Sequence, residues 1–246
     1  MRVVCISDTH SRHDTFHAAH HIPDGDVLVH AGDFSDTGDR DEVVIAGNHD
    51  TTFDREHYIH NYKRYKHERQ HDPEEVRSLL TNALYLEDQA VVIDGFTFYG
   101  SPWQPEYHNW AFNLPRGEKL QHKWRQIPGN TDVLVTHGPP LGWLDTVQVG
   151  DELMPQGCEA LAVEVQTRIR PQYHVFGHIH EGYGYVSDGT TTYINASSCN
   201  VDYQAINPAI GFDLMASKSR HHEVSAPTYA ELMKYQIELA SQRMTD

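Results

Sequence analysis

Five short apolar runs, each followed within two residues by Asp, Asn or His, constrain the fold of this chain more than any other feature. The clearest is Val-Leu-Val-His-Ala at 27–31, which leads directly into Gly32-Asp33. The others lie at residues 3–6, 43–46, 133–136 and 174–176. Such runs are typical of buried parallel strands, whose carboxyl ends meet at one sheet edge, where open α/β sheets bind ligands. The sequence therefore predicts an α/β fold with polar side chains gathered at one edge.

The polar residues that follow these runs form one mixed set of oxygen and nitrogen donors. They are Asp8, His10, Asp33, Asn48, His49, His137, His178 and His180. Two residues spaced as D-x-H or H-x-H in an extended segment point to the same side. Carboxylate, amide and imidazole donors without thiolates suit Mn²⁺, Fe²⁺ or Zn²⁺ better than Ca²⁺ and do not indicate a structural zinc site. The pattern predicts a divalent metal centre, with Asp33 as the candidate carboxylate that bridges two ions.

Charge and cysteine usage exclude several other classes of function. The chain has 246 residues and a formal net charge of −16, which argues against a nucleic-acid partner or an anionic membrane surface. The three cysteines form no C-x-x-C pair and favour neither a disulfide framework nor a zinc knuckle. No leader-like segment and no apolar stretch of ~18 residues is present, so a soluble, cytoplasmic protein is expected.

Further segments complete the predicted organisation. We expect helices at 73–80, 117–126 and 157–169, hairpins around Asp94-Gly95 and Ser187-Asp188-Gly189, and a last strand at 210–214. The stretch 51–83, whose later part holds the helix at 73–80, is polar. Residues 101–117 are an irregular loop rich in aromatic residues, and a loop is predicted from Pro139-Pro140 through Pro155. One domain is expected over residues 1–216, followed by a tail at 217–246 with an amphipathic helix.

The five motifs resemble those of a known family. Asp8-x-His10, Gly32-Asp33, Gly47-Asn48-His49-Asp50, His137-Gly138 and Gly177-His178-x-His180 are similar to the motifs of the calcineurin-like metallophosphoesterases. The resemblance covers about residues 1 to 215 and is closest to the metallophosphoesterase-domain-containing branch of metal-dependent cyclic-nucleotide phosphodiesterases. It implies a β-sandwich of two mixed sheets flanked by helices. It also implies a dinuclear phosphoesterase acting on a small phosphodiester, with a cyclic nucleotide as the first candidate.

The resemblance also implies roles for individual residues. Asp8, His10 and His180 would hold one metal, Asn48, His137 and His178 the other, and Asp33 would bridge them. A hydroxide between the metals would attack phosphorus, with His49 as the general acid. Asn48, His49 and Trp103 would contact the substrate. Mn²⁺ is the first choice for both ions, with Fe²⁺ or Zn²⁺ as alternatives. Among the aromatic residues of the long loop, Trp103, Tyr107 or Trp110 either stacks on a purine or packs in the core. The oligomeric state stays open.

The link between the second and third strands departs from the family pattern. Only 14 residues (48 − 33 − 1) separate Asp33 from Asn48, which leaves no room for the usual crossover helix. We expect an extended link, with Val27, Val29, Val44 and Ala46 partly exposed or covered by other segments. If Asp33 and Asn48 failed to converge, the alternative would be a catalytically impaired scaffold that binds metal or nucleotide.

Overall fold

The computed structural model describes residues 1–12, 15–16, 20–34 and 42–215. The strands in chain order are β1 (Arg2–Ile6), β2 (Val27–His30), β3 (Glu42–Val44), β4 (Ala83–Tyr85), β5 (Gln89–Ile93), β6 (Phe96–Ser101), β7 (Gln104–Pro105), β8 (Asn113–Leu114), β9 (Val133–Thr136), β10 (Thr146–Val149), β11 (Glu152–Pro155), β12 (Tyr173–Phe176), β13 (Gly184–Ser187), β14 (Thr192–Asn195) and β15 (Ile210–Asp213). The α-helices are α1 (Arg55–Asn61), α2 (Pro73–Ser78), α3 (Glu118–Arg125) and α4 (Glu159–Glu164).

Two mixed sheets carry the fold. The first has five strands in the order β15-β1-β2-β3-β4, all parallel except β15. The second has six strands in the order β13-β14-β12-β9-β6-β5, in which the two outermost strands run antiparallel to their neighbours. The predicted α/β architecture of two mixed sheets flanked by helices is confirmed.

The sheets face each other across one apolar core. Val3 and Val29 of the first sheet belong to the same buried cluster as Val133, Val175 and Ile194 of the second. Successive strand residues point to opposite faces, so the intervening residues pack outward. On the second sheet these outward residues join α3 and α4 in another buried cluster. Burial on both faces explains why the strand sequences are continuous apolar runs rather than alternating ones.

The outer face of β3 is covered although the link before it is short. Val44 and Ala46 are fully buried and pack with Phe34, Phe53 and Phe112. The prediction that other segments would cover this face is confirmed. The alternative, partial exposure of the strand residues, is wrong, because Val27 and Val29 are also buried. The extended conformation predicted for the link falls on residues 35–41, outside the described residues. So does the tail from residue 217, and the domain boundary there stays a prediction.

Two segments contain elements that the sequence did not predict, and for residues 139–155 the predicted loop was wrong. The polar stretch after residue 51 contains α1 and a 3₁₀ turn at Tyr62–Tyr65. The side chain of Asp54 caps α1 by accepting from the backbone N–H of His57 at 3.0 Å. Only Tyr58 of α1 is buried, so the sequence carries no apolar period there. The predicted loop 139–155 contains the antiparallel ribbon β10–β11, and every residue of β11 is exposed.

The other elements agree with expectation to within a few residues. Helix α2 begins at Pro73 and is capped by Asp72, and the predicted third helix continues from α4 into a π turn over Val165–Ile169. Strands β5 and β6 pair around Asp94-Gly95 as predicted. Within the described ranges, no helix has the length and apolar character required to cross a membrane.

A buried histidine on β12 makes the stability of the fold depend on pH. His174 Nε2 lies 2.8 Å from Thr136 Oγ1, whose hydroxyl donates to the Gly138 carbonyl, so Nε2 is the donor. Burial lowers the pKa of His174 to about 3, below its ordinary value of 6.5. As pH falls, His174 therefore takes up a proton in the unfolded chain before it does so in the folded protein, and the free energy of unfolding decreases below pH 6.5. We expect a loss of about 2 to 3 kcal/mol between pH 6.5 and 4.5 from this group.

Urea unfolding of the chelator-treated protein at these two pH values measures the effect. The control is His174→Gln, which keeps a donor toward Thr136 but does not titrate. The free energy of unfolding of the variant should fall less between the two pH values. Equal decreases in both proteins would show that His174 does not contribute.

Candidate metal centre

The carboxyl ends of the parallel strands bring the predicted donors to one place. Asp8 follows β1, Asp33 follows β2, and His137 follows β9. The Nε2 atom of His137 lies 2.9 Å from Asn48 Oδ1 and 3.6 Å from Asp33 Oδ2. Asp33 Oδ2 also lies 3.8 Å from His10 Nε2. Strand β3 lies within the sheet, and the expected convergence of Asp33 and Asn48 is confirmed.

The first donor group is Asp8, His10 and His180. His180 Nδ1 donates to the Asn200 carbonyl at 2.8 Å, so Nε2 faces Asp8 Oδ1 at 3.5 Å and His10 Nε2 at 3.3 Å. Asp8 Oδ1 is buried and has no hydrogen-bond partner. Three donor atoms that lie within 4.8 Å of one another around an unsatisfied carboxylate oxygen fit a divalent cation.

The electrostatics of this group follow from burial and the ion pair. Burial alone would lower the pKa of His180, but the effect of the nearby Asp8 carboxylate is larger, and the pKa rises to about 9. Burial also opposes charge on Asp8, yet His180 and the neighbouring imidazoles hold its pKa well below the usual range. Burial lowers the pKa of His10 despite the nearby carboxylates. His10 is thus neutral near pH 7, the form in which imidazole binds metals.

The second predicted donor group is Asn48, His137 and His178. His137 Nδ1 lies 2.9 Å from the Ala31 carbonyl, and Nε2 lies 2.9 Å from Asn48 Oδ1. An imidazole with a single N–H can donate to only one of these oxygens; when Nδ1 donates to Ala31, Nε2 and Asn48 Oδ1 face each other as two acceptors, and a cation bound by both would relieve their repulsion. The His178 ring lies 5.0 Å from that of His137, and burial, with His137, lowers the pKa of His178 to about 3. Among the described residues, three sets of Asp and His side chains have donor atoms within 4.8 Å of one another, and His178 belongs to none of these sets.

Close backbone packing holds the donor loops. A Cβ atom on Gly177 would collide with the Asp8 carboxylate, and one on Gly47 would collide with the carboxylate of Asp33. Asp8 Oδ2 in turn accepts from the His178 N–H at 2.9 Å and from the Ser197 hydroxyl at 3.0 Å. The glycines of these motifs are therefore required by space.

Asp50 organises the second and third strand tips. Its buried carboxylate accepts from the backbone N–H groups of Asp33 at 2.7 Å, Gly47 at 2.8 Å and Phe34 at 3.1 Å. These bonds tie the loop after β2 to the loop after β3. The sequence assigns no role to Asp50, because the position of an acidic residue after His49 does not reveal which N–H groups its carboxylate will reach. Asp50 thereby keeps the loops that carry Asp33 and Asn48 together.

A cavity of about 640 Å³ opens over both donor groups. His10, Asp33, Asn48, His49, His178 and His180 are among the residues that line it, and Tyr107, Trp110, Arg116, Val147 and Tyr203 form part of its walls. Tyr203 was missed by the sequence analysis. Its ring lies 4.8 Å from that of His10 and 5.3 Å from that of His180, on a backbone with a φ of 56°. A tyrosine in this strained region is a feature that clusters at functional sites.

Trp103 is not brought together with the other predicted site residues. Its indole N–H donates to Asp88 at 2.9 Å, and Lys123 Nζ lies 4.1 Å from its ring centroid. Its ring packs edge-on against Phe112, and it is not among the residues that line the cavity. For Trp103 the structure favours the core-packing alternative, whereas Tyr107 and Trp110 reach the cavity.

His49 stands at the edge of the donor groups. Its backbone N–H donates to Asp33 Oδ1 at 2.8 Å, and its exposed ring lies 4.8 Å from that of His10. It also forms one group of close donor atoms with His10 and Asp33. The position suits a residue that faces a substrate over the metals, and it also permits a metal contact.

Comparisons with known proteins agree with this geometry. The family described as calcineurin-like phosphoesterase matches residues 1–182. The human metallophosphoesterase domain-containing protein 1 is 48% identical over 239 residues, covering 87% of this chain and 71% of that protein. A UPF0046 protein of Caenorhabditis elegans is 40% identical, covering 87% of this chain and 60% of that protein.

A comparison of structures supports the same fold. One solved crystal structure superposes with a TM-score of 0.62 at 13% sequence identity, and the match covers 91% of this chain and 98% of the other. At this identity the likeness concerns the fold alone. The family match extends over the strands and motifs that build the donor groups. The chain therefore belongs to the calcineurin-like phosphoesterase family and is a phosphoric ester hydrolase.

Proposed function

We propose that this chain hydrolyses a small phosphodiester, with a cyclic nucleotide as the first candidate, using two divalent metal ions. The observation that carries the proposal is the convergence of acceptor atoms at one sheet edge. Asp8 Oδ1 is buried without a hydrogen bond, 3.5 Å from His180 Nε2, and His137 Nε2 lies 2.9 Å from Asn48 Oδ1. Facing acceptors of this kind destabilise a protein unless a cation satisfies them.

The donor set supports an assignment of the two ions. We assign Asp8, His10 and His180 to the first, Asn48, His137 and His178 to the second, and Asp33 to both. Oxygen and imidazole donors without thiolates suit Mn²⁺, with Fe²⁺ or Zn²⁺ as alternatives. When bound, such ions neutralise charge on phosphoryl oxygens and activate water. A phosphodiester carries one negative charge, so it is drawn to the site by the metals despite the acidic chain.

The residues of the chain itself then bind and orient the substrate. Asn48 and His49 face the cavity where the phosphoryl group would lie. Tyr107 replaces Trp103 as the aromatic residue for a base, because its exposed side chain lines the cavity, whereas the Trp110 ring already packs against His49 and Tyr65. We assign to His49 the donation of a proton to the leaving oxygen, since its exposed ring is beside the donor groups rather than buried among them.

The scaffold alternative loses its main ground. It rested on the short link between β2 and β3, which was expected to disturb Asp33 and Asn48. Both side chains approach His137 Nε2, and Asp50 holds their loops together. We therefore favour the enzyme. The cytoplasmic location and the lack of nucleic-acid or membrane partners stay predictions from the sequence.

Removal of the metals tests the proposal. We expect hydrolysis of bis-p-nitrophenyl phosphate to fall to background after dialysis against a chelator and to return with Mn²⁺. Far-ultraviolet circular dichroism should stay unchanged, because the donors are side chains on loops that follow strands, and the backbone hydrogen bonds of those strands need no metal. Elemental analysis must verify the metal-free sample, and full activity in that sample would rule out the dinuclear site. A panel of 2′,3′- and 3′,5′-cyclic nucleotides then ranks the substrates.

A further inference from the structure

Three aromatic rings form a row that ends at His49. The His49 ring lies 4.5 Å from that of Trp110 with the planes 32° apart. The Trp110 ring lies 5.4 Å from that of Tyr65 with the planes 31° apart. Such distances are typical of aromatic pairs in contact, whose geometry restricts ring orientation. The exposed imidazole of His49 therefore rests against a neighbour that is itself packed.

Arg64 fixes the segment that carries Trp110. Its guanidinium donates to the His108 carbonyl at 3.0 Å and to the Asn109 carbonyl at 2.8 Å. The same group lies 5.4 Å from the Trp110 ring centroid, within the range of cation–π attraction. His108 and Asn109 have φ values of 52° and 53°, an uncommon conformation that these bonds help to hold. The position of Trp110 is thus set by the turn that also carries Tyr65.

Asp54 joins the two segments that supply this row. One of its carboxylate oxygens caps α1, and the other accepts from the Phe112 N–H at 2.8 Å. The phenol of Tyr65 is hydrogen-bonded to His57 Nε2 on the same helix. The helix, the 3₁₀ turn and the Trp110 loop are therefore connected as one unit against His49.

We propose that Trp110 is a positioning residue that orients the His49 imidazole toward the leaving group, with Tyr65 and Arg64 holding Trp110 in place. The proposal rests on the proposed function, in which His49 donates a proton. An exposed histidine without a packed neighbour samples several rotamers, and only one of them faces the leaving oxygen. Misplacing a reacting group by about 1 Å can lower a rate 10²-fold. Trp110 therefore acts through His49, and its effect should appear only where proton donation matters.

The test compares two diesters of similar shape with different leaving groups. Diphenyl phosphate releases phenolate, which needs protonation, whereas bis-p-nitrophenyl phosphate releases the more stable p-nitrophenolate. For Trp110→Ala we expect kcat on diphenyl phosphate to fall about 10- to 100-fold, and kcat on bis-p-nitrophenyl phosphate to fall several-fold at most. Trp110→Phe keeps a ring against His49, so its kcat on diphenyl phosphate should be close to that of the wild type. Tyr62→Ala is the control, because it removes a ring of the same turn that packs on Tyr58 instead.

A double-mutant cycle and a spectroscopic measurement complete the test. In a His49→Gln background, Trp110→Ala should lower kcat on diphenyl phosphate no further, because the oriented group is gone. In the chelated protein, the ring-proton resonances of His49 should lose their ring-current shift in Trp110→Ala, independently of activity. Equal kcat losses on both diesters, or an unchanged His49 resonance, would overturn the positioning role. Failure of the proposed function would be recognised separately, by lack of hydrolysis in the metal-loaded wild type.

Discussion

Asp33→Asn should lower phosphodiesterase activity at least about a thousandfold. Asp33 Oδ2 lies 3.6 Å from His137 Nε2 in one donor group and 3.8 Å from His10 Nε2 in the other. Asn has nearly the same shape but supplies no negative charge to share between two cations. Metal ions contribute several kcal/mol to catalysis of this type, and about 4 kcal/mol corresponds to a thousandfold in rate.

Metal content separates this effect from a change of fold. Elemental analysis of Asp33→Asn should show loss of both ions, because the replaced carboxylate contacts both donor groups. His178→Gly removes a donor from one group only, so its metal content should be nearer one than two, with kcat still strongly reduced. Asp151→Asn at the exposed tip of the β10–β11 ribbon is the control and should behave as wild type. An Asp33→Asn protein with two ions and normal activity would refute the bridging role.

His49→Gln should lower the rate on poor leaving groups by about 10²- to 10⁴-fold, the usual contribution of general acid catalysis. On p-nitrophenyl esters the loss should be smaller, because p-nitrophenolate leaves with little protonation. Gln keeps the backbone N–H that donates to Asp33, so the loop geometry should survive. The measurement is kcat for diphenyl and bis-p-nitrophenyl phosphate at saturating Mn²⁺.

The metal content of this variant decides between two roles for His49. The His49 ring forms a close donor group with His10 and Asp33, so a ligand role is the competing interpretation. As a proton donor, His49 is dispensable for metal binding, and two ions should remain in His49→Gln. Loss of an ion, with equal rate losses on both leaving groups, would indicate that His49 is a ligand instead.

The strand tips could be predicted because their information is local. Asp8, Asp33 and His137 each lie within two residues of the end of an apolar run, so recognising the strand also places the side chain at the sheet edge. The same holds for the hairpin around Asp94-Gly95, where the turn chemistry is contained in two residues. These parts of the fold and of the site therefore agree with the sequence-based expectations.

Other features depend on contacts that are distant in sequence. Trp103 and Trp110 lie in the same loop, but the Asp88 carboxylate binds the indole of Trp103 and leaves Trp110 at the cavity. Helix α1 buries one residue, so its existence depends on the Asp54 cap and on tertiary packing rather than on an apolar period. Asp50 and Tyr203 act through loops whose shape the local sequence does not determine.

The raised pKa of His180 has a consequence for how the protein acquires its metals. Near pH 7 the imidazole is protonated and pairs with Asp8, so a proton takes the place of the first cation as the source of positive charge. In the metal-free protein the first donor group therefore holds an ion pair, whereas the facing atoms of His137 and Asn48 in the second group gain nothing from this proton. Loading of the first site is then an exchange of one cation for another, and its driving force grows as the solution becomes more alkaline.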